Sequence, residues 1–270
     1  MRGLTQRMQD SGAPEAARGN SDGTEQRPSV GAELVRVVVA AQQDEQQDRG
    51  ERARQVGRLA AALATSARAA GARAVLGGRW LVDQLLEAAP RIPVRDRETL
   101  RAHHPGLADD RIAEILIRTA ARSTAAIGAT GGAVMAGSWA LPPSVLLSAP
   151  VEVATEALAV AAVEVKLVAE LHSLYLVSPP GAGAQRAAGF VMAWAAGRGI
   201  DPRDPRWMSS AVSSAAKAQI RRRMAGRAAR GATTLGPLLT GAVAGATVNS
   251  RATRSLGSRV HADLRRQAGR

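Results

Sequence analysis

The chain has 270 residues, no cysteine, a formal net charge of +13 and six aromatic side chains. The lack of cysteine excludes a disulfide framework, a zinc ribbon and thiol catalysis, and so few aromatics argue against base-stacking platforms for single-stranded nucleic acid. The charge is uneven: residues 181–270 hold 15 Arg, one Lys and three acids, a net of +13, so an anionic partner is expected, lipid headgroups ahead of nucleic acid.

Residues 1 to about 30 mix Gly, Pro, Ser, acids and Gln and read as a disordered tail. They lack the apolar core of a secretory signal, so a cytoplasmic location is expected. A short helix is expected at Glu33–Gln47, although no helical stripe is evident there. The tail is assigned to 1–50, a helical arm and connector to 51–103, and the main α-helical domain to 104–270.

From Glu51 the chain turns Ala/Leu/Arg-rich, with Val56, Leu59, Leu63, Ala67 and Ala70 at amphipathic-helix spacing. Gly77-Gly78 breaks that helix. Trp80, Leu81, Leu85 and Leu86 start another, ended by Pro90 and Pro93. A polar connector with one short helical turn follows. The next helix starts at Asp109-Asp110, where acids suit the positive end of the helix dipole.

That helix enters the first of two charge-free apolar runs, Ser123–Val151; the second is Gly231–Ser250. Each matches or exceeds the roughly 20 residues needed to cross a bilayer. Pro142-Pro143 divides the first run into two segments that turn back on each other. Arginines on both sides of the second oppose a simple span, because the positive-inside rule places them on one side. Both runs are therefore expected to form apolar helical hairpins. Gly128-x3-Gly132 and Gly241-x3-Gly245 have the small-residue spacing of helices in close contact, either inside lipid or in a soluble core.

Between the runs, the helix from Val151 to Leu176 gathers Glu152, Thr155, Glu156, Lys166, Glu170 and Ser173 into an arc of about 100°, expected as one narrow exposed edge on an otherwise enclosed helix. Glu164 and His172 fall on its apolar side, where a satisfied buried pair, or exposure at a helix edge, is the expectation. Pro179-Pro180-Gly181 closes it, and Ala184–Gly197 forms a further helix. Ser209–Arg230 is expected as a basic helix carrying Lys217, Arg221, Arg222, Arg223, Arg227 and Arg230. With Arg251 and Arg254 beyond the second run, these residues are the candidate contacts to an anionic surface. No segment alternates as a strand does, so the fold class is all-α, a helical bundle.

Catalytic signatures are missing. The glycine runs contain no phosphate-gripping lysine, and there is neither a nucleophile elbow nor a metal-binding His/Glu pattern. No catalytic, cofactor or metal residues are assigned, and the chain is expected to be non-enzymatic.

The order of segments HHPGLADDRIAEILIRTAARSTAAIGATGGA, VEVKLVAELHSLYLV and GPLLTGAVAGATVNSRATRSLG resembles the EcsC family of bacterial proteins over about residues 104–265. The family's "G-A-T-G" segment is matched at Gly128–Gly131, and its "N-x-x-A-T" element by Asn249, Ala252 and Thr253. The Arg/Ala-rich composition resembles an actinobacterial member. Leu176 departs from the pattern, which has glycine after the tyrosine, and so does Pro142-Pro143. The resemblance implies α-helical architecture, membrane association at the inner face of the cell membrane and a link to membrane transport or secretion; it transfers no active-site residue. Two alternatives stand beside it: a soluble helical interaction scaffold with a protein partner, and nucleic-acid binding through the basic last third.

Overall fold

A computed structural model describes residues 29–41, 49–70, 79–137, 149–199 and 237–269. Within them, only the helical backbone is described at 49, 52, 79, 131–137, 149–152 and 237–241. The protein is all-α, and no strand occurs among the described residues. Among the described residues the helices are α1 (Val30–Ala40), α2 (Arg49–Ala70), α3 (Arg79–Ala88), α4 (Arg97–Ala102), α5 (Asp109–Gly137), α6 (Ala149–Leu174), α7 (Gly183–Gly197) and α8 (Pro237–Ala268), with a 3-10 turn at Ala89–Arg91.

α1 starts three residues earlier than expected and belongs to the core rather than to a tail. Ser29 caps it by accepting from the Ala32 N–H at 3.2 Å. Val30, Leu34, Val37 and Val38 are buried on one side; read from Val30 rather than Glu33, the stripe has ordinary helical spacing. One continuous apolar core joins these residues to Leu59, Leu63, Trp80 and Leu85 of α2 and α3, and to α5, α6, α7 and α8. The arm and the glycine-rich helices thus share a single interior.

α6 is the central helix. Leu158 to Leu171 is buried without interruption. This corrects the expected exposed edge: Thr155, Glu156, Lys166 and Glu170 are 1, 7, 3 and 1% exposed. The polar arc exists, but neighbouring elements cover it and supply its partners. Tyr175 at the end of α6 touches Asp110 at the start of α5, so these two helices pack antiparallel. The turn expected at Pro142-Pro143 lies outside the described residues.

The described part of the second run differs from expectation, 231–236 lying outside the described residues. From Pro237 through Ser250 it does not fold back but continues into the basic segment as one 32-residue helix. α8 can run as one unbroken helix because its inner face carries Gly245, Asn249, Thr253 and Gly257 at every fourth residue and lies along α5 in the most extensive helix pairing among the described residues. The pairing is antiparallel: Gly128 meets Gly245, Thr124 meets Thr253, Ile117 meets Gly257, and Asp110 meets His261 and Arg265.

Leu176 ends α6 in a left-handed conformation, φ 56°, with the Val177 N–H donating to the His172 carbonyl at 3.0 Å. This closing turn favours glycine, and the leucine side chain is 68% exposed with little packing to lose. Leu176→Gly is therefore expected to raise stability by about 1 kcal/mol, seen as a higher denaturant midpoint at unchanged slope.

Candidate functional site

Two features stand out: a ladder of buried charges along α6, and the outer surface of the α5–α8 pair. The deepest rung of the ladder is Glu164, fully buried. Arg198, just past α7, donates to it through Nε at 2.9 Å and through Nη2, and Trp194 Nε1 donates at 2.9 Å. Thr253 of α8 donates its hydroxyl at 2.7 Å, and Thr124 Oγ1 lies 2.9 Å from Thr253 Oγ1. Since Thr253 spends its one proton on the carboxylate, only Thr124 can donate between the threonines, and it shares its proton with the Ala121 carbonyl at 3.2 Å. One carboxylate thereby ties α5, α7 and α8 to α6.

Glu170 is the second rung. Arg95, from the connector before α4, grips it in a fork, Nε to Oε1 at 2.8 Å and Nη2 to Oε2 at 2.9 Å. Lys166 Nζ donates to Oε1 at 2.6 Å and also to the Pro93 carbonyl. Burial alone would push the Glu170 carboxyl up, but the Arg95 hydrogen bonds and the two nearby cations outweigh it and hold it below the usual carboxylate range. Burial pulls the Lys166 ammonium down against the attraction of Glu170. A third rung joins Glu156 to Asn249 Nδ2 at 2.9 Å.

At the far end of the pair, Tyr175 donates to Asp110 at 2.6 Å and lies 2.7 Å from His261 Nε2, while Arg265 reaches the other Asp110 oxygen at 3.2 Å. The Tyr175 hydrogen bond is the main cause of a lowered Asp110 carboxyl, and burial with the Asp110 contact pushes the Tyr175 phenol well up. His172 is not paired with Glu164: its Nδ1 contacts the Val168 carbonyl at 2.8 Å, its ring meets Phe190 edge-on, and burial lowers its pKa. Every rung is occupied by protein groups, and no cluster able to hold a metal ion occurs among the described residues. The arrangement positions helices.

The outer surface is different. Of the predicted packing glycines, Gly128 and Gly245 are brought together so closely that a Cβ on Gly128 would lie 2.5 Å from both the Gly245 carbonyl oxygen and Asn249 Nδ2. Gly132 and Gly241 lie in α5 and α8, where only backbone is described. Arg251 and Arg254 are exposed on α8. With Arg259, Arg265 and Arg266 they cover an arc of about 140° opposite the buried face. Lys217, Arg221, Arg222, Arg223, Arg227 and Arg230 lie outside the described residues.

Counting six residues in opposite directions from the Gly128–Gly245 contact sets Arg122 level with Arg251. These arginines are the last charges before the two charge-free runs, so the stretches 123–137 of α5 and 237–250 of α8 occupy the same end of the pair. Among the described residues, no helix is long and apolar enough to cross a membrane. Sequence reasoning missed Arg95, Trp194, Arg198 and Thr253 as partners. The only available signal was that a buried Glu164 and Glu170 each required a donor, and spacing does not reveal donors 34 and 75 residues away. No family model matches this chain, and neither a curated protein nor a solved structure matches it.

Proposed function

We propose that this chain is a non-enzymatic helical protein that associates peripherally with an anionic membrane surface, at the cytoplasmic face. The observation that carries this reading is the α5–α8 register, which stacks two charge-free helix ends beyond a shared level of arginine at Arg122 and Arg251. Apolar surface bordered by Arg suits a bilayer, where acyl chains lie beside phosphate; each Arg near an anionic surface contributes about 1 kcal/mol. The buried ladder supports a peripheral role, since a bundle that closes its own core needs no lipid to fold. The EcsC-like order of segments points the same way and adds a proposed link to transport or secretion.

The test is flotation of the full chain with vesicles of phosphatidylcholine alone or mixed with phosphatidylglycerol. Association is expected with the anionic vesicles only, falling as salt rises. Reversing Arg251 and Arg254 to Glu is expected to weaken it at least tenfold, with helicity unchanged because both side chains are exposed. A monodisperse protein that ignores anionic vesicles at about 50 mM salt would overturn the proposal.

A further inference from the structure

Resting on that membrane reading, we propose that the protein docks side-on. The outer face of the α5–α8 pair, centred on Arg118, Arg122, Arg251 and Arg254, lies flat on the phosphate level of one anionic phospholipid leaflet.

The helix register gathers these four arginines. Arg122 is level with Arg251, and ten residues from the Gly128–Gly245 contact Arg118 is level with Ser255, beside Arg254. The cluster therefore spans about one turn of α5, roughly 6 Å along its axis. The helical wheel sets the side. Arg118 directly follows Ile117, which meets Gly257, and Arg254 directly follows Thr253, which meets Thr124. Each arginine thus stands about 100° round from a residue in the seam. Because the helices are antiparallel, the two steps turn in opposite senses and carry both side chains to the same side. All four arginines are exposed.

Charge selects this face. From Ile115 to Gly137 α5 holds no Asp or Glu, and neither does α8 from Pro237 to Ala262. The carboxylates behind them, Glu156 and Glu164, are buried and accept from Asn249 and Thr253 of α8. Most other exposed arginines stand beside an acid, as in Arg36–Glu33, Arg91–Glu87 and Arg101–Asp109. Arg118, Arg251 and Arg254 form no ion pair among the described residues.

Shape identifies the occupant. Val243, Thr247, Arg254 and Ser258 recur at spacings of four and seven, one exposed line along about 22 Å of α8. Two helices side by side are about 20 Å across. That is too broad for a DNA major groove of about 12 Å and suits a plane. Closely spaced lipid phosphates on such a plane match four arginines held within one helical turn.

The first test is charge reversal. Arg118→Glu, on the helix that carries neither Arg251 nor Arg254, is expected to weaken flotation with phosphatidylglycerol vesicles roughly tenfold. Arg68→Glu is the control, since Arg68 is exposed on α2 and has no ion pair among the described residues. It is expected to change binding less than about threefold, and both variants should keep the parent melting temperature. Equal losses in the two would overturn the assigned face. The second test reads orientation with a single nitroxide label at Thr247→Cys, Ser258→Cys or Thr65→Cys, each in the otherwise cysteine-free chain. On the vesicles, the labels at 247 and 258 are expected to be shielded alike from a neutral water-soluble nickel chelate, and the label at 65 on α2 to stay open to it.

Shielding at 247 alone would overturn the side-on pose in favour of an end-on one. Shielding at 247 and 258 without vesicles, together with a larger mass, would assign the face to a second copy of the chain. Tighter binding to duplex DNA than to vesicles at the same salt, lost in Arg118→Glu, would assign it to nucleic acid. Failure of the parent chain to bind vesicles removes the underlying function and this pose with it, whereas vesicle binding unchanged by Arg118→Glu overturns the pose alone.

Discussion

Gly245→Ala is expected to destabilise the protein by roughly 2–4 kcal/mol, although alanine is the better helix former by about 1 kcal/mol. The added methyl would collide with the Gly128 carbonyl oxygen, an atom of a helix backbone that cannot rotate away. Relief requires α8 to move off α5, and overpacking of this kind costs about 1–3 kcal/mol, occasionally more. The same movement pulls Asn249 from Glu156 and Thr253 from Glu164, and each acceptor left buried and short of a donor adds about 1–3 kcal/mol, partly recovered by repacking. Gly57→Ala is the control: this helical glycine is exposed, with nothing within 4 Å of the place its methyl would take, so the change is expected to stabilise by about 0.5–1 kcal/mol. Thermal and denaturant unfolding of both variants would reveal the opposite signs. Two variants that both stabilise would mean that the glycine contact does not hold the pair together.

The same contact shows how far the sequence could be read. Gly128 and Gly245 announced close packing because glycine in a helix needs compensation, and the all-α class followed from an absence of alternation. Their pairing with each other was not legible, because Gly128-x3-Gly132 is equally suited to packing on α6. The register required Thr124–Thr253 and Asp110–Arg265 as well, pairs more than 120 residues apart in sequence and recognisable only once the helices are docked. The polar arc on α6 was legible as an arc and misread as an exposed edge. Helical periodicity reports that residues share a face, whereas their solvent is decided by what lies opposite. Arg95 came from a connector whose charge and prolines advertise a surface loop, yet its guanidinium closes over Glu170. In the described part of the second run, 237–250, no turn appears where a hairpin was expected, for a related reason: glycine content suggests a turn, but with α5 against it the same glycines permit an unbroken helix.

Glu170→Ala is expected to cost about 3–5 kcal/mol, the range for removing one partner of a buried ion pair. Arg95, one-third exposed, can turn its guanidinium to water; Lys166, 3% exposed, cannot. The variant leaves an ammonium in the core beside the Pro93 carbonyl alone. Lys166→Met should behave differently, staying within about 1 kcal/mol of the parent or exceeding it, because the Arg95 fork still satisfies Glu170 and a desolvated charge has been replaced by apolar volume. The pH dependence separates the two. The Glu170 pKa is lowered in the fold, so its stabilisation is complete above the ordinary carboxylate value of about 4.3 and is lost as pH falls through the folded value. Glu170→Ala should therefore flatten the acid limb of the stability profile. The Lys166 pKa is also lowered, so burying its ammonium is costly at neutral pH and that cost fades as pH rises toward about 10. Any advantage of Lys166→Met should accordingly shrink on the alkaline side. Equal losses in the two variants across this range would show that the lysine, and not only the arginine fork, is required to hold the carboxylate in place.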